Sequence, residues 1–138
     1  MGSGKKHLAA ILSRLPGETA GKVLAYISGK NQALGQELER MMFGFAEVLM
    51  LSDKEMQRLH ADIDPKDLVL ALKGLDEAER DRLLRGLSAK RKTVLLEEAE
   101  QMGGVKRKAV EAAQNRIAEA ARKLIESGEI SPGEVWIE

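Results

Sequence analysis

The sequence predicts an all-α protein, and three observations support this fold class. Apolar residues make up 43% of the 138 residues but aromatic residues only 3%, so Leu, Ala, Val, Ile and Met must build the core. Ala, Leu and Met favour helices because they lose little conformational freedom in them. Apolar residues recur at three- and four-residue spacing along most of the chain, as on the buried side of amphipathic helices, and no segment predicts a strand.

Three amphipathic helices are predicted in residues 5–42. The first ends at Pro16-Gly17, the second ends near Gly29, and the third covers about residues 31–42. The apolar stripes of the first two consist of Leu8, Ile11, Leu12 and Leu15, and of Ala20, Val23, Leu24 and Ile27. Three such helices resemble one unit of a solenoid, which finishes burying its apolar side only against a neighbour. We therefore expect this part to stack on another copy or on another domain.

A hinge is predicted at Met42-Phe43-Gly44-Phe45. This segment holds both phenylalanines of the chain, with a glycine between them. Glycine inside a helix costs about 1 kcal/mol relative to alanine, so the helical pattern is weakest at this point. The alternative interpretation is that the two rings anchor a core where two helices meet.

Residues 46–128 are predicted to form a helical bundle with well-marked helix ends. Two capping boxes and one N-cap followed by proline predict helix starts, at Ser52 with Glu55, Asp76 with Glu79, and Asp64 with Pro65. Glycines that suit helix ends follow at Gly74, Gly103, Gly104 and Gly128. We expect about eight helices in the whole chain, the last from about residue 106 to 127, and an irregular tail over residues 129–138, which include Pro132, Gly133 and Trp136.

The predicted helix that begins at Ser88 carries its charges against the helix dipole. Its positive end is crowded with bases and its negative end with acids, namely Lys90, Arg91 and Lys92, and Glu97, Glu98 and Glu100. Each misplaced charge costs roughly a few tenths of a kcal/mol. The two blocks are separated by roughly 10 Å along the helix, too far for direct pairing.

A separate side of this helix is suited to burial, because Leu95, Ala99 and Met102 lie together there. We therefore expect a helix packed on one side that exposes a positive and a negative patch to a binding partner. The alternative is an ordinary solvated surface.

Composition argues against several other classes. The 22 basic and 22 acidic residues cancel, so no net field attracts nucleic acid or an anionic membrane. The absence of cysteine excludes disulfides and thiolate metal sites and suits a reducing cytoplasm. No apolar run approaches the roughly 20 residues that cross a bilayer. The first four residues, Met1-Gly2-Ser3-Gly4, are more typical of a cloning remnant than of a signal peptide.

No pattern predicts catalysis, a metal site or a cofactor. His7 and His60 are the only histidines and lie far apart in the sequence. Nothing indicates a desolvated carboxylate pair or a glycine-rich phosphate loop, and Gly103-Gly104 is better explained as a helix end. The run Lys106-Arg107-Lys108 suits a solvated helix start.

Several segments in register resemble the C-terminal domain of the flagellar motor switch protein FliG family. They are Met42-Phe43-Gly44-Phe45, which matches a Met-Phe-x-Phe hinge, Leu70-Ala71-Leu72-Lys73-Gly74, Met102-Gly103-Gly104-Val105, Val110-Glu111-Ala112-Ala113-Gln114 and Gly128-Glu129-Ile130. Residues 5–42 are similar to the armadillo-like helices that precede the hinge in that family. The resemblance implies a right-handed α-solenoid type of fold, with an armadillo-like unit at 5–42, a hinge at 42–45 and a torque-transmitting domain at 46–128.

The resemblance implies a rotor component of the bacterial flagellar motor switch, at the cytoplasmic face of the basal body, and not an enzyme. This component would transmit torque by electrostatic contact with the stator and take part in switching the direction of rotation. The family's torque charges match, with their signs kept, Lys73, Lys90, Glu97, Glu98 and Lys106. The implied partners are the cytoplasmic loop of a MotA-type stator, the switch protein FliM and neighbouring copies that stack through the armadillo-like helices. Nucleic acid and membrane insertion are not implied.

The chain departs from the family pattern at a few positions. Gly104 stands where proline is typical, Leu75 where alanine is usual, and Arg91 where the family has a small apolar residue. The Glu-His-Pro-Gln motif associated with FliM binding does not occur. We therefore expect either a fragment or a shortened, divergent paralogue.

Three rival functions stay open at the level of sequence. The cytosolic regulatory domain of a magnesium channel resembles the same armadillo-like superfamily and predicts acidic clusters that bind divalent metal. A plain helical adaptor predicts that charge changes on the exposed patches are tolerated. A nucleic-acid binder comes last, because Lys and Arg nowhere outnumber the acids over a long stretch.

Overall fold

The computed structural model describes residues 3–132, which fold into helices without a strand. The helices in this range are α1 (Ser3–Arg14), α2 (Gly17–Lys30), α3 (Gln32–Met41), α4 (Phe45–Val48), α5 (Asp53–His60), α6 (Pro65–Leu72), α7 (Glu77–Leu83), α8 (Ala89–Gln101) and α9 (Arg107–Glu126). The all-α prediction is confirmed. Gly133 and Trp136 of the predicted tail lie outside the described residues.

Within residues 3–132 there is one helix more than the roughly eight predicted, the four-residue α4. Its N-cap is Gly44, whose N–H donates to the Glu47 carboxylate at 2.9 Å. A single turn contains too few residues to show apolar periodicity, which is why the sequence pattern did not reveal it.

The chain divides into two compact units, Met1–Phe43 and Gly44–Glu138. In the first unit, α1 and α2 both pack against α3. Ala9, Leu12 and Leu38 are buried at its centre. Partly buried residues surround them, namely Leu8, Leu15, Val23, Leu24, Ile27, Leu34, Met41 and Met42. The core of this unit is small, because only three of these side chains are buried.

A close approach of α2 and α3 depends on Gly35. A Cβ atom at this position would lie 2.8 Å from the Cβ and 2.9 Å from the Cα of Ser28. Any side chain at residue 35 would therefore push the two helices apart, so the glycine serves packing.

The second unit is built around α9, against which α4, α5 and α6 pack, while α8 packs on α6. The buried side of α9 consists of Val110, Ala113, Ile117, Ala118, Ala121 and Leu124. The largest fully buried side chains of the rest of this unit are Val48, Leu51, Met56, Leu59, Leu72, Leu83, Leu84 and Leu95. Burying each of these side chains contributes about 1.5–3 kcal/mol, so this core holds α6, α8 and α9 in a fixed arrangement.

The predicted helix starts of this unit are confirmed. Ser52 and Asp76 accept hydrogen bonds from the backbone N–H groups of Glu55 and Glu79, at 3.2 and 2.8 Å. The side chain of Asp64 likewise accepts from the N–H of Lys66 at 2.9 Å, and proline follows it at the first helical position.

The glycines predicted at helix ends lie there, but they differ in backbone conformation. Gly103 and Gly128 have positive φ angles of 71° and 82° and end α8 and α9 as predicted. Gly74 directly follows the C-cap Lys73, so α6 ends where predicted, but this glycine does not have a positive φ. A Cβ at Gly74 would lie 2.9 Å from a methyl group of Val110, so this glycine allows α9 to approach α6.

The beginning of the predicted irregular tail belongs to the core. The N–H groups of Glu129 and Ile130 both donate to the Leu124 carbonyl, at 2.9 and 3.3 Å. Ile130 is only 4% exposed. These hydrogen bonds fold the chain back after Gly128, which places an apolar side chain under the end of α9. Among the helices of residues 3–132, none is long and apolar enough to cross a membrane.

Candidate functional site

Helix α8 presents the predicted charged surface, and its position is fixed by a cap at its first turn and by burial along one side. The Ser88 hydroxyl accepts from the N–H of Arg91 at 3.1 Å and so caps the first turn. Leu95 and Ala99 are each 1% exposed, which confirms their predicted burial. Met102 was also predicted to be buried, but it is 41% exposed. It is the C-cap residue, immediately before the turn at Gly103, and the core does not extend to this end of the helix.

Three of the predicted torque charges, Lys90, Glu97 and Glu98, lie on the exposed surface of α8. Among the side chains that the structure describes, no ion pair involves any of these three. The reason is visible in the sequence, because no residue three or four positions away from any of them carries the opposite charge. The helix therefore exposes a basic end and an acidic end that do not neutralise each other.

Lys106 is the fourth predicted torque charge and is placed by a different element. It is the N-cap residue of α9, and its carbonyl accepts the N–H groups of Ala109 and Val110 at 3.0 and 3.2 Å. Its side chain is exposed and enters no ion pair with another residue of the described range. Since Lys106 begins the helix that forms the centre of the unit, its backbone position is well fixed.

Lys73 differs from the other four charges, because its ammonium group is bound within the unit. It is the C-cap residue of α6 and is only partly exposed. Its Nζ donates a hydrogen bond to the carbonyl oxygen of Ala99, in the last turn of α8, at 3.0 Å. A cation at a helix C-terminus interacts favourably with the dipole. Lys73 therefore offsets part of the negative charge that accumulates at this end of α8.

The structure thus brings two of the five predicted charges into one region and spreads the others along α8. Lys73 lines a shallow, open depression together with Gly103, Gly104 and Val105 of the α8–α9 loop, directly before Lys106. Lys90 lies at the opposite end of α8, about 11 residues or roughly 17 Å along the axis from the end of the helix. The candidate surface therefore extends over the full length of α8 and beyond it.

The predicted hinge residues fall at the boundary between the two compact units. Met42 packs against the core of the first unit, Phe43 is the last residue of that unit, and Gly44 is the first of the second. Gly44 is extended, with φ −108° and ψ −172°, and Phe45 begins α4. Movement at this segment stays a prediction.

His60 has a more specific environment than the sequence indicated. Its Nε2 lies 2.8 Å from the Leu83 carbonyl oxygen, while its Nδ1 is buried without a hydrogen-bond partner among residues 3–132. Burial lowers the pKa of His60; hydrogen bonding to the backbone of Leu83 and Arg85 opposes this shift, and the Arg91 guanidinium adds to it. The imidazole therefore links α5 to the end of α7. In the described range, no three His, Asp or Glu side chains converge closely enough to hold a metal ion.

Comparison with known proteins finds one and the same family by a family model and by individual relatives. Residues 25–131 match the family model of the FliG C-terminal domain. The flagellar motor switch protein FliG of Thermotoga maritima is 35% identical over 122 residues, which cover 88% of this chain and 36% of that protein. FliG of Pseudomonas aeruginosa is 33% identical over 130 residues, covering 94% of this chain and 38% of that protein. The chain therefore spans little more than a third of the length of these curated relatives.

Solved structures agree with the sequence comparison. A crystal structure of FliG from Helicobacter pylori is similar with a TM-score of 0.76 at 32% identity, covering 93% of this chain and 56% of that one. The structure of full-length FliG from Aquifex aeolicus is similar with a TM-score of 0.63 at 29% identity, covering 91% of this chain and 39% of that one. The fold and the sequence therefore point to the same group of proteins.

Proposed function

The chain belongs to the FliG C-terminal domain family, as its motifs predicted, and we propose that it forms the part of the flagellar rotor that receives torque from the stator. One observation carries this proposal. Lys90, Glu97 and Glu98 are exposed on α8, unpaired with other described residues and placed against the helix dipole. Such an arrangement lowers the stability of the helix, so stability does not explain it.

Exposed charges suit a contact that must form and break repeatedly as a rotor turns. A solvent-exposed ion pair contributes only about 0–1 kcal/mol, and salt screens it beyond about 8 Å at physiological ionic strength. Several such pairs orient two surfaces and speed their encounter without holding them together for long. The basic end of α8 would meet acidic groups of the stator, and the acidic end would meet basic groups.

The finer assignments extend this proposal to particular partners. The occupant of the α8 surface would be the cytoplasmic loop of a MotA-type stator, at the cytoplasmic face of the basal body. Binding of FliM is proposed only by analogy with the family. The segment Met42-Phe43-Gly44-Phe45 would let the second unit reorient and so reverse the direction in which α8 faces the stator. This is how the chain would take part in switching.

The first unit would stack on a neighbouring copy through its armadillo-like helices. Its small core leaves Ile11 46% exposed and Tyr26 69% exposed. Burial of these side chains against a neighbour would complete a core that the unit cannot build alone. Family membership disfavours the rival interpretation as a magnesium-channel domain. The plain-adaptor interpretation differs in one respect, because it predicts that changes of charge on α8 have no effect.

The test exchanges the two charge signs on α8 in the chromosomal gene that encodes the chain. We expect cells with Lys90→Glu together with Glu97→Lys to assemble flagella that do not rotate. The matched control is Lys54→Glu together with Glu126→Lys, which reverses one exposed charge of each sign at the start of α5 and the end of α9. Control cells should swim. Normal swimming of the α8 variant, with no second copy of the gene, would overturn the proposal.

A further inference from the structure

An apolar side chain lies at the centre of the charged surface of α8. Val94 is 38% exposed, although it is a β-branched residue in the middle of a helix that is otherwise polar on this side. It follows Lys90 by four residues and precedes Glu98 by four, so it lies on the same side of the helix as both. It is also three residues from Arg91 and three from Glu97. Each of these charges therefore neighbours Val94 across one helical turn, about 5 Å.

A charged residue at position 94 would pair with a neighbouring charge of α8 and so neutralise part of the surface. A carboxylate at residue 94 would pair with Lys90, and a lysine there would pair with Glu98, in the usual spacing of helical ion pairs. Valine prevents both pairs. It keeps the basic and the acidic ends available to a partner, and it offers that partner a point of contact that needs no hydrogen bond.

Apolar contact at this point would change the environment of the charges around it. Ion pairs strengthen when water is excluded from their surroundings, because the local dielectric falls. In interfaces, an apolar core is typically surrounded by a polar rim that stays accessible to solvent. On α8 the order along the axis is basic, apolar and acidic, with the two charged blocks separated by roughly 10 Å.

We propose that Val94 is the apolar anchor of the α8 interface. Its occupant is a segment that carries an apolar side chain between an acidic group, which meets Lys90 and Arg91, and a basic group, which meets Glu97 and Glu98. This inference rests on the proposed function, because it takes that segment to belong to the stator loop. Charge complementarity selects the occupant: a segment of uniform charge would be repelled by one end of α8, and a purely apolar segment would leave both ends desolvated and unpaired.

The test replaces Val94 by residues that separate shape from polarity. Val94→Thr keeps the branched shape but replaces one methyl group by a hydroxyl, which can bond to the carbonyl one turn back, so the helix can accommodate it. Val94→Ile keeps the apolar character. We expect motors with Val94→Thr to lose about half or more of their torque, measured as rotation speed of tethered cells under high load, and motors with Val94→Ile to retain it. The control is Met50→Gln, at an apolar residue of the same unit that is 73% exposed.

The outcomes separate this inference from the proposed function. The two variants are made separately in the same parent strain. If the Lys90 and Glu97 exchange stops rotation while Val94→Thr motors keep full torque, Val94 is not an anchor, but the charged surface still transmits torque. Normal rotation after the charge exchange would instead remove the proposed function itself. The chain has no cysteine, so Val94→Cys can also be cross-linked to a single cysteine in the stator loop. We expect a cross-linked product for Val94→Cys and none for Met50→Cys, and the reverse would contradict the proposal.

Discussion

The ammonium of Lys73 donates a hydrogen bond to the carbonyl oxygen of Ala99 at 3.0 Å, and so connects the end of α6 to the last turn of α8. That turn lies beside Glu97, Glu98 and Glu100, at the end of the helix where the dipole is already negative. Lys73 therefore holds in position the helix whose surface we propose to meet the stator. We therefore expect Lys73 to act by positioning this helix as well as by its charge.

Removal of this hydrogen bond should lower the stability of the second unit. We expect Lys73→Met to reduce the free energy of unfolding by about 1–2 kcal/mol, because the Ala99 carbonyl loses its donor and α8 loses a favourable charge at its C-terminus. Urea unfolding of the purified chain measures this change. Lys66→Met is the control, since Lys66 is an exposed lysine of the same helix. Equal stability of the two variants would show that the Lys73 hydrogen bond contributes nothing.

The close contact between α6 and α9 gives a second prediction. Gly74→Ala would place a Cβ 2.9 Å from a Val110 methyl group and 3.1 Å from Nε2 of Gln114. We expect the variant to lose about 1–3 kcal/mol of stability, because the two helices must separate to accept the methyl group. Gly104→Ala is the matched control, with nothing within 4 Å of its added Cβ. Thermal unfolding of both variants measures the difference in stability. If the Gly74→Ala chain is as stable as the Gly104→Ala chain, the contact between α6 and α9 does not require a glycine at position 74.

His60 should make the stability of the second unit depend on pH. Burial lowers the pKa of His60 in the folded chain, so the unfolded chain binds a proton at this residue more readily. Stability is therefore full above the unfolded pKa of about 6.5 and falls as the pH decreases below it. The fall is complete once the pH is below the pKa of the folded state.

The matched variant is His60→Gln, which can still donate to the Leu83 carbonyl but does not titrate. Unfolding midpoints measured between pH 7.5 and pH 5.5 should decrease for the original chain and change less for the variant. A parallel decrease in both would assign the pH dependence to other groups.

The charge exchange on α8 should separate stability from function. Lys90→Glu together with Glu97→Lys moves an acid to the N-terminal end of α8 and a base toward its C-terminal end, which agrees with the dipole. We expect the exchanged chain to be as stable as the original or more stable, by about 0.5–1 kcal/mol, although it should fail to turn the motor. Chemical denaturation of both purified chains measures this. A loss of more than about 1 kcal/mol would mean that these charges contribute to folding, and the motility result would then need a different explanation.

Local signals in the sequence predicted most helix ends, and contacts between distant residues account for what was missed. The caps at Ser52, Asp64 and Asp76 depend on residues within three positions, so they could be read directly. Gly74 was correctly placed at a helix end, but its role in packing was missed because it depends on Val110, which lies far along the chain.

In the candidate site too, features that depend on neighbouring residues were predicted, and those that depend on distant residues were missed. The exposed charges of α8 follow from the order of residues along one helix, and Val94 could have been found from the same helical spacing. By contrast, the hydrogen bond from Lys73 to Ala99 joins residues 26 positions apart. Met102 was assigned to the buried side because periodicity does not show where a core ends along a helix.

If α8 transmits torque through its charges, reversing the charges of the stator should restore a motor whose rotor charges have been exchanged. The measurement is the rotation speed of motors in which Lys90→Glu and Glu97→Lys are combined with stator loops of original or reversed charge. Electrostatic contact predicts that the exchanged rotor stalls with the original stator and turns again with the reversed one. If the stators assemble around the rotor and neither combination restores rotation, or if both stators drive the exchanged rotor equally, the charges of α8 do not carry the torque.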